Sequence, residues 1–307
     1  MSVTVFSHYY CGMHEVHQAH PESPERLDAI NDQFIRSGLN FVLQQKDCSP
    51  ALQEDLYRVH DVAYVNDIFK RAPTEKGQQI WLDPDTIMTQ HSLRAALYAA
   101  GSGLNAVDEV MMGDNQSAFC AVRPPGHHAS HNAAMGFCIF NNIAVAAAYA
   151  FAHFNVKRIA IVDFDVHHGN GTEDIFANDE RVLFCSSFQY PLYPNTGTNS
   201  ISPHIVNTPL PPGSSAAQWR NEVTTRWLPA IDHFSPELIL ISAGFDGHLE
   251  DDTSAFQLRE DDYYWLGQSL KNLAHIHCQG RIIGMLEGGY DMSSLGRSVV
   301  AFVKSLI

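Results

Sequence analysis

The residues with the clearest chemical potential are Asp165 and His167, two positions apart, and a second aspartate, Asp246. In an extended segment residues i and i+2 point the same way, so Asp165 and His167 can face one point. Asp246 can add a third ligand from another strand end. One imidazole and two carboxylates leave a coordination position open, which is typical of catalytic zinc and also suits Fe(II). The alternative is a buried hydrogen-bond network or a helix cap.

A tandem histidine pair, His127 and His128, follows a rigid Arg-Pro-Pro-Gly turn. Amide hydrolysis needs a base to activate water and an acid to protonate the leaving amine, and histidine can do either near neutral pH. Asp163 and Asn170 flank the metal segment and are the predicted partners of His127 and His128 respectively. Asparagine cannot stabilise imidazolium as aspartate does. We therefore expect inequivalent histidines, with His128 as the proton shuttle; read alone, the pair would be ordinary loop histidines.

Tyr290 follows two glycines, which permit backbone conformations closed to other residues. A phenol delivered by such a turn can donate to a carbonyl oxygen as it becomes an oxyanion. Phe137, next to Gly136, could wall a narrow channel with Tyr193. Aromatic walls would hold a straight methylene chain and exclude water. A packed turn tyrosine and plain core packing are the alternatives.

Two further clusters are better explained without chemistry. The string Cys11-x-x-His14-x-x-His17-x-x-His20 resembles a metal ligand series, but it has no second cluster and leads into a helix. We interpret it as a loop at the rim of the site. The run Glu250-Asp251-Asp252 could attract cationic substrates to the rim, but a solvated acidic loop is the preferred interpretation.

The elements that must position these residues follow a strand-then-helix alternation. Each of four apolar runs ends in one of the polar motifs: Ala118–Val122, Arg158–Val162, Leu238–Ile241 and Arg281–Leu286. Apolar runs without alternation predict strands buried on both faces of a mainly parallel sheet. Helices are predicted at Thr89–Met112, Ala216–Phe234, Asp261–Cys278 and Ser293–Ile307. In such α/β sheets ligands bind beyond the carboxyl ends of the strands, which places all four motifs in one site.

Bulk properties exclude several classes of protein. The 307 residues are 45% hydrophobic and carry a net charge of -15, which argues for one globular domain, 1–307, and against nucleic-acid binding. No signal peptide or membrane span is predicted, and Ile139–Phe154 is interpreted as a core helix. The six cysteines form no C-x-x-C pair, which argues against a disulfide framework and favours the cytoplasm.

Taken together, the motifs closely resemble the histone deacetylase family in its broad sense, with bacterial histone deacetylase-like amidohydrolases and acetylpolyamine amidohydrolases. The resemblance extends from His20 to Tyr290. The class II branch fits best, from Asn170 and the segment 207–211. The blocks that carry it are Arg123–His128, Gly136–Asn142, Asp163–Gly171, Gly244–Asp246 and Glu287–Tyr290.

The resemblance implies the three-layer arginase-deacetylase fold, with a mainly parallel eight-stranded sheet between helices. It implies Zn²⁺ on Asp165, His167 and Asp246, histidine assistance to the attack of water, and a carbonyl polarised by Tyr290. Arg26 matches a position associated with acetate release. The expected reaction is deacetylation of acetyl-lysine in proteins or peptides. Small acetylated amines such as acetylpolyamines are the alternative substrate class, and a non-catalytic acetyl-lysine binder is a remote one.

The resemblance also implies structural K⁺. The matching ligands are Asp163, the Ser186 hydroxyl, and the carbonyls of Asp165, His167 and Ser187. A second such site would use carbonyls at Phe176, Asp179, Val182 and His204. A homo-oligomer is compatible with the sequence, and neither a nucleic-acid nor a membrane partner is expected.

Overall fold

The computed structural model describes residues 2–16, 20–199 and 201–307. Its strands are β1 (Val3–Ser7), β2 (Gln44–Asp47), β3 (Ile80–Trp81), β4 (Ile87–Met88), β5 (Ser117–Cys120), β6 (Ile159–Asp163), β7 (Val182–Gln189), β8 (Ile205–Leu210), β9 (Leu238–Ala243) and β10 (Ile282–Leu286). Its α-helices are α1 (Tyr9–Gly12), α2 (Glu25–Arg36), α3 (Gln53–Leu56), α4 (Val62–Arg71), α5 (Ser92–Met112), α6 (Asn142–Phe154), α7 (Asn170–Phe176), α8 (Ala216–Glu222), α9 (Leu228–Phe234), α10 (Glu260–His277) and α11 (Met292–Ser305).

Eight strands form one sheet in the order β2-β1-β5-β10-β9-β6-β7-β8. Every pairing in it is parallel, so the predicted mainly parallel sheet is confirmed and is parallel throughout. Strands β3 and β4 form a separate antiparallel pair. The four predicted strands correspond to β5, β6, β9 and β10, which are consecutive neighbours in the sheet. Their carboxyl ends therefore meet at one place along its edge.

Helices cover the sheet, because parallel strands require crossover connections. Helix α5 packs on α6 and on β1, β5 and β10, while α11 packs on α10 and α2. The predicted helices at the positions of α5, α10 and α11 are confirmed to within a few residues. No helix in the described part of the chain has the length and apolar character needed to cross a bilayer.

Two helix boundaries differ from the prediction. The segment 216–234 is not one continuous α-helix, because a short π-helix at Val223–Trp227 separates α8 from α9. Pro229 lies in the first turn of α9 and has no N–H to donate to the preceding turn, so regular helix is interrupted there. The core helix predicted at 139–154 begins at Asn142, because the Asn141 side chain accepts from the Ala144 N–H at 3.1 Å and caps it.

The central strands are buried along their whole length. Every residue of β5, β6, β9 and β10 is buried, as expected for strands covered on both faces. The six cysteines are free and buried, in line with the argument against a disulfide framework. Close packing beneath the loops gives the side chains at the strand ends a rigid base.

Candidate functional site

Three predicted metal ligands converge at the ends of β6 and β9. The side chains of Asp165, His167 and Asp246 offer ligand atoms that all lie within 4.8 Å of one another. His167 Nδ1 is 3.0 Å from Asp165 Oδ1 and 3.1 Å from Asp246 Oδ2. Among the described residues this is the one cluster of its kind with metal-ligand geometry.

The environment of this cluster favours positive charge. Asp165 and Asp246 are almost fully buried, and within the described ranges neither has an arginine or lysine ion-pair partner. Although burial opposes it, hydrogen bonding to the two carboxylates raises the pKa of His167 to about 10. Two buried carboxylates beside an imidazole nitrogen are a donor set that suits Zn²⁺ or Fe²⁺. The residues present therefore fit a divalent cation.

Backbone groups orient the carboxylates. Asp246 Oδ1 accepts from the Val166 N–H at 2.9 Å, and Asp165 Oδ2 accepts from the Gly288 N–H at 2.8 Å. Such bonds leave the remaining oxygens directed at the common point. Position 288 has no room for a side chain, because a Cβ there would lie 2.1 Å from Asp246 Oδ2 and 2.6 Å from Asp165 Oδ2.

Gly288→Ala should therefore lower metal affinity by about 10- to 100-fold, the usual cost of disturbing groups that orient ligands. The expected cause is displacement of both carboxylates by the added methyl group. Competition with a chelator of known affinity measures the change. Gly12→Ala is the matched control, because a Cβ at Gly12 meets nothing within 4 Å. Equal metal affinities of the two variants would contradict the prediction.

The tandem histidines lie beside the cluster, and each contacts the partner that the sequence suggested. His127 Nδ1 is 3.0 Å from Asp163 Oδ2, and His128 Nδ1 is 2.7 Å from Asn170 Oδ1. Burial opposes charge on both rings, but Asp163 and Asp165 raise the pKa of His127 well above its ordinary value. For His128, burial and the neighbouring histidines lower the pKa well below it. The two imidazoles are therefore electrostatically inequivalent.

Glu287 completes this arrangement, and the sequence analysis gave it no function. Its Oε2 accepts from the backbone N–H groups of Gly126 at 2.7 Å and His127 at 3.1 Å, and its Oε1 accepts from the Ser242 hydroxyl at 3.0 Å. Burial raises the pKa of Glu287 to about 7. An acidic residue at the end of a buried strand needs internal donors, and that signal could have identified it.

Tyr290 is delivered by a turn that contacts hold on several sides. Gly289 has φ +118°, a region that favours glycine. Arg26 donates through Nε to the Gly289 carbonyl at 2.7 Å and through Nη2 to the Glu287 carbonyl, and its Cζ lies 5.0 Å from the Tyr290 ring centroid. Burial raises the pKa of Tyr290 well above its ordinary value, so the phenol keeps its proton.

Phe137 lies on the Tyr290 side of the site in an unusual conformation. Its ring stands edge-on to Tyr290 with centroids 6.1 Å apart. Both Gly136 and Phe137 have positive φ, +56° and +68°. Asp85 Oδ1 accepts from the Gly136 N–H and Thr86 Oγ1 from the Phe137 N–H, each at 3.0 Å. These contacts hold a strained backbone segment in place, as is common at functional sites. The sequence analysis did not identify Asp85 or Thr86.

Tyr193 lies beside the histidines. Its ring is edge-on to His128 at 5.2 Å and to His167 at 6.3 Å between centroids. Its hydroxyl oxygen is buried without a hydrogen-bond partner among the described residues.

The residues expected to hold K⁺ differ in how well they fit. The Ser186 hydroxyl is buried and has no hydrogen-bond partner in the described part of the chain, which is expected of an oxygen that coordinates a cation. At the second set, the Phe176 carbonyl already accepts from the Asp179 N–H at 3.0 Å and contacts His204 Nε2 at 3.1 Å. The geometry favours the first set, which also includes Asp163 and Ser187.

Neither interpretation of the acidic run applies to Asp251, which is buried and is not part of a solvated loop or an attracting rim. Its carboxylate accepts backbone N–H groups near Tyr290. Glu250 is exposed but forms an ion pair with Arg297 at 2.7 Å. The preferred interpretation, a solvated acidic loop, agrees with the exposed Glu250 and Asp252 and was wrong for Asp251, because a charge run in sequence does not reveal which carboxylate turns inward.

The N-terminal string is also only partly a rim. Cys11 and His14 are buried, and their carbonyls accept from Arg123 at 3.0 and 2.9 Å, so these two residues support the turn before the histidine pair. His17 lies outside the described residues. His20 contacts the Phe137 ring edge at 4.6 Å between centroids, which places it beside the channel wall.

A buried ion cluster around Glu22 joins this support to the Tyr290 turn. Glu22 contacts Arg123 at 2.7 Å and Arg26 at 3.0 Å. Burial opposes ionisation, but Arg123, His14 and Arg26 outweigh it and lower the pKa of Glu22 to about 2. A depressed pKa stabilises the fold above the ordinary value of 4.5, and this stabilisation is lost as pH falls towards 2.

Glu22→Gln should destabilise the protein by about 3–5 kcal/mol at neutral pH, because two buried guanidinium groups lose their counter-charge. Chemical denaturation at pH 7 and pH 3 measures it, and the gap from wild type should shrink at the lower pH. Asp67→Asn, which breaks an exposed ion pair with Arg71, should cost less than about 1 kcal/mol. Equal losses from both variants would refute the prediction.

Comparison with known proteins places this arrangement among its relatives. A family model described as "Histone deacetylase domain" matches residues 20–306. The chain is 34% identical over 294 residues to the histone deacetylase-like amidohydrolase of Pseudomonas aeruginosa, covering 94% of this chain and 77% of that one. It is 37% identical over 289 residues to a probable deacetylase of Archaeoglobus fulgidus, covering 91% and 79%. The crystal structure of the HDA15 HD domain matches 99% of this chain and 88% of its own, with TM-score 0.92 and 33% identity.

Proposed function

The chain belongs to the histone deacetylase family, and we propose that it is a metal-dependent enzyme releasing acetate from acetyl-lysine side chains of proteins or peptides. The family and its deacetylase and amidohydrolase relatives make it a hydrolytic deacetylase with the arginase-deacetylase fold. The metal, the substrate class and the residue functions belong to the proposal. The observation that carries it is the convergence of Asp165, His167 and Asp246 beside two histidines.

Zn²⁺ is the proposed ion, with Fe²⁺ as the alternative, held by Asp165, His167 and Asp246. When bound, such an ion supplies Lewis acidity that polarises the acetyl carbonyl and makes water more acidic. The oriented carboxylates support this assignment, because their outer oxygens are already engaged by backbone N–H groups. We also propose K⁺ at Asp163 and Ser186, with Ser187 and the Asp165 and His167 carbonyls.

The histidines are assigned proton transfer. Asp163 holds His127 as a cation, while His128, oriented by Asn170, is left neutral and able to accept a proton from the attacking water. As the water oxygen bonds to the acetyl carbon and the C–N bond breaks, that proton passes to the leaving amine. Acetate and a free amine are the balanced products.

The aromatic side chains are assigned substrate positioning and oxyanion stabilisation. Tyr290, a protonated phenol, would donate to the carbonyl oxygen as negative charge develops on it. Phe137 and Tyr193 would hold the methylene chain, with Gly136 at the base of the wall. A Cβ at Gly136 would lie 2.3 Å from His128, so this wall must approach the histidine closely. We also propose the acetate-release function for Arg26. Its described contacts, with the Gly289 carbonyl and the Glu22 carboxylate, are those of a residue that supports the Tyr290 turn.

Acetylated polyamines are the alternative substrate class. Both classes present a methylene chain ending in an acetyl amide. Both are also cationic, so the exposed carboxylates of Glu250 and Asp252 do not decide between them. A non-catalytic binder is disfavoured because no ligand, histidine or tyrosine of the motifs is replaced. Four statements stay sequence-based predictions: a single domain 1–307, a cytoplasmic location, the absence of nucleic-acid and membrane partners, and a homo-oligomer.

Mass spectrometry of acetate release from acetylated peptides and acetylpolyamines tests the proposal. We expect turnover of peptides that is lost after chelation and restored by Zn²⁺ or Fe²⁺. Faster turnover of polyamines would shift the substrate assignment to the alternative. Turnover that is unaffected by complete metal removal would defeat the metal mechanism, and binding without turnover would favour the acetyl-lysine binder.

A further inference from the structure

We infer that Asp251 is a positioning residue for Tyr290, an inference that rests on the proposed function of the phenol. Asp251 lies five residues beyond the ligand Asp246, in the loop after β9. Tyr290 lies beyond β10, in the turn before α11. The juxtaposition therefore joins two segments that the sequence keeps apart.

The Asp251 carboxylate binds both segments at once. Its Oδ2 accepts from the backbone N–H of Tyr290 at 2.6 Å and of Asp291 at 3.1 Å. Its Oδ1 accepts from the Thr253 N–H at 3.1 Å and from the Thr253 hydroxyl at 2.5 Å. With only 3% of the residue exposed, water does not compete for these bonds. A buried carboxylate accepting several N–H groups forms the stronger, charge-assisted kind of hydrogen bond.

The turn needs such a brace on its N–H side. Gly289 precedes Tyr290 and can adopt many backbone conformations, so it does not by itself fix the direction of the phenol. Arg26 holds the carbonyl groups of this turn, at Glu287 and Gly289. Asp251 holds the N–H groups that follow. The Asp251 carboxylate and the Arg26 guanidinium therefore form hydrogen bonds with the backbone on either side of the Tyr290 side chain, which must reach the oxyanion.

The Asp251 loop is itself anchored to the metal-ligand segment. The Ser254 hydroxyl donates to the Asp246 carbonyl at 2.8 Å, and the Asp251 N–H donates to the His248 carbonyl at 2.9 Å. Arg297 of α11 contacts Glu250 at 2.7 Å and also pairs with Glu260. The carboxylate thereby fixes the position of the phenol relative to Asp246. Oxyanion stabilisation depends on the distance between the phenol and the substrate carbonyl held at that ligand cluster.

A double-mutant cycle tests the inference. Asp251→Asn should lower kcat by about 10- to 100-fold, the effect of a misplaced catalytic group, with KM and bound metal little changed. In the Tyr290→Phe background the same substitution should lower kcat less than twofold further, because no hydroxyl is left to position. A merely structural function would give the same factor in both backgrounds, and that result would overturn the inference.

Asp252→Asn is the matched control, because it removes the same charge from the exposed neighbouring carboxylate and should leave kcat unchanged. If Asp251→Asn does not fold, Thr253→Val removes one Oδ1 donor and should produce a smaller loss that also vanishes in the Tyr290→Phe background. The two failures are distinguishable. An inactive wild type would contradict the proposed function. An active wild type with equal kcat values for Asp251→Asn and Asp252→Asn would contradict only the positioning inference.

Discussion

Asp246→Ala is expected to lower turnover by about 10³-fold or more and to abolish stoichiometric metal binding, because a Lewis acid contributes several kcal/mol to the barrier. The variant removes one of two buried carboxylates that face His167 Nδ1, at 3.1 Å. It also removes the acceptor of the Val166 N–H, so the segment that carries Asp165 and His167 loses an anchor. Elemental analysis of the purified variant and acetate release under saturating substrate measure both effects.

Asp252→Ala controls for loss of acidic charge in the same loop, because Asp252 is exposed. Added Zn²⁺ should not restore Asp246→Ala, whereas it should restore chelated wild type. Comparing Zn²⁺ with Fe²⁺ in that restoration distinguishes the two candidate ions, which the donor set alone does not. Full turnover by an Asp246→Ala preparation free of bound metal would show that the cluster is not the catalytic centre.

The cluster was predictable from sequence because parallel strands end at a common edge. Asp163 ends β6, Asp165 and His167 follow it, and Asp246 follows the adjacent β9. Residues about 80 apart in the chain therefore meet at neighbouring strand ends. Tyr290 follows β10 by the same rule. The inequivalence of the two histidines was also predictable from sequence, because one partner, Asp163, is charged and the other, Asn170, is neutral.

The groups that hold this chemistry in place were not predictable in the same way. Glu287 contacts Gly126 across 161 residues, Glu22 contacts Arg123 across 101, and Asp251 contacts Tyr290 across 39. No local periodicity encodes such pairs, because they depend on how loops from different strands pack. Asp251 was misjudged for a related reason, since charged side chains are usually exposed and only the fold shows which one is enclosed.

Tyr290→Phe should lower kcat by about 10²- to 10³-fold, the usual cost of removing one oxyanion donor, while metal content and KM stay near wild-type values. The substitution removes only the hydroxyl, so the ring keeps its contacts with Phe137 and Arg26. Because burial holds the phenol protonated, the lost group is a hydrogen-bond donor to developing charge and not a titrating base. Steady-state kinetics with an acetylated peptide and elemental analysis measure the effect.

Tyr264→Phe is the control, because Tyr264 lies in α10 with 37% exposure and its hydroxyl contacts only Gln268 among the described contacts. It should leave kcat unchanged. A loss expressed in KM alone would assign Tyr290 to ground-state binding, since only an interaction made in the transition state lowers kcat. Wild-type turnover by Tyr290→Phe would refute the oxyanion function, and the braces formed by Arg26 and Asp251 would then hold a turn whose phenol takes no part in the reaction.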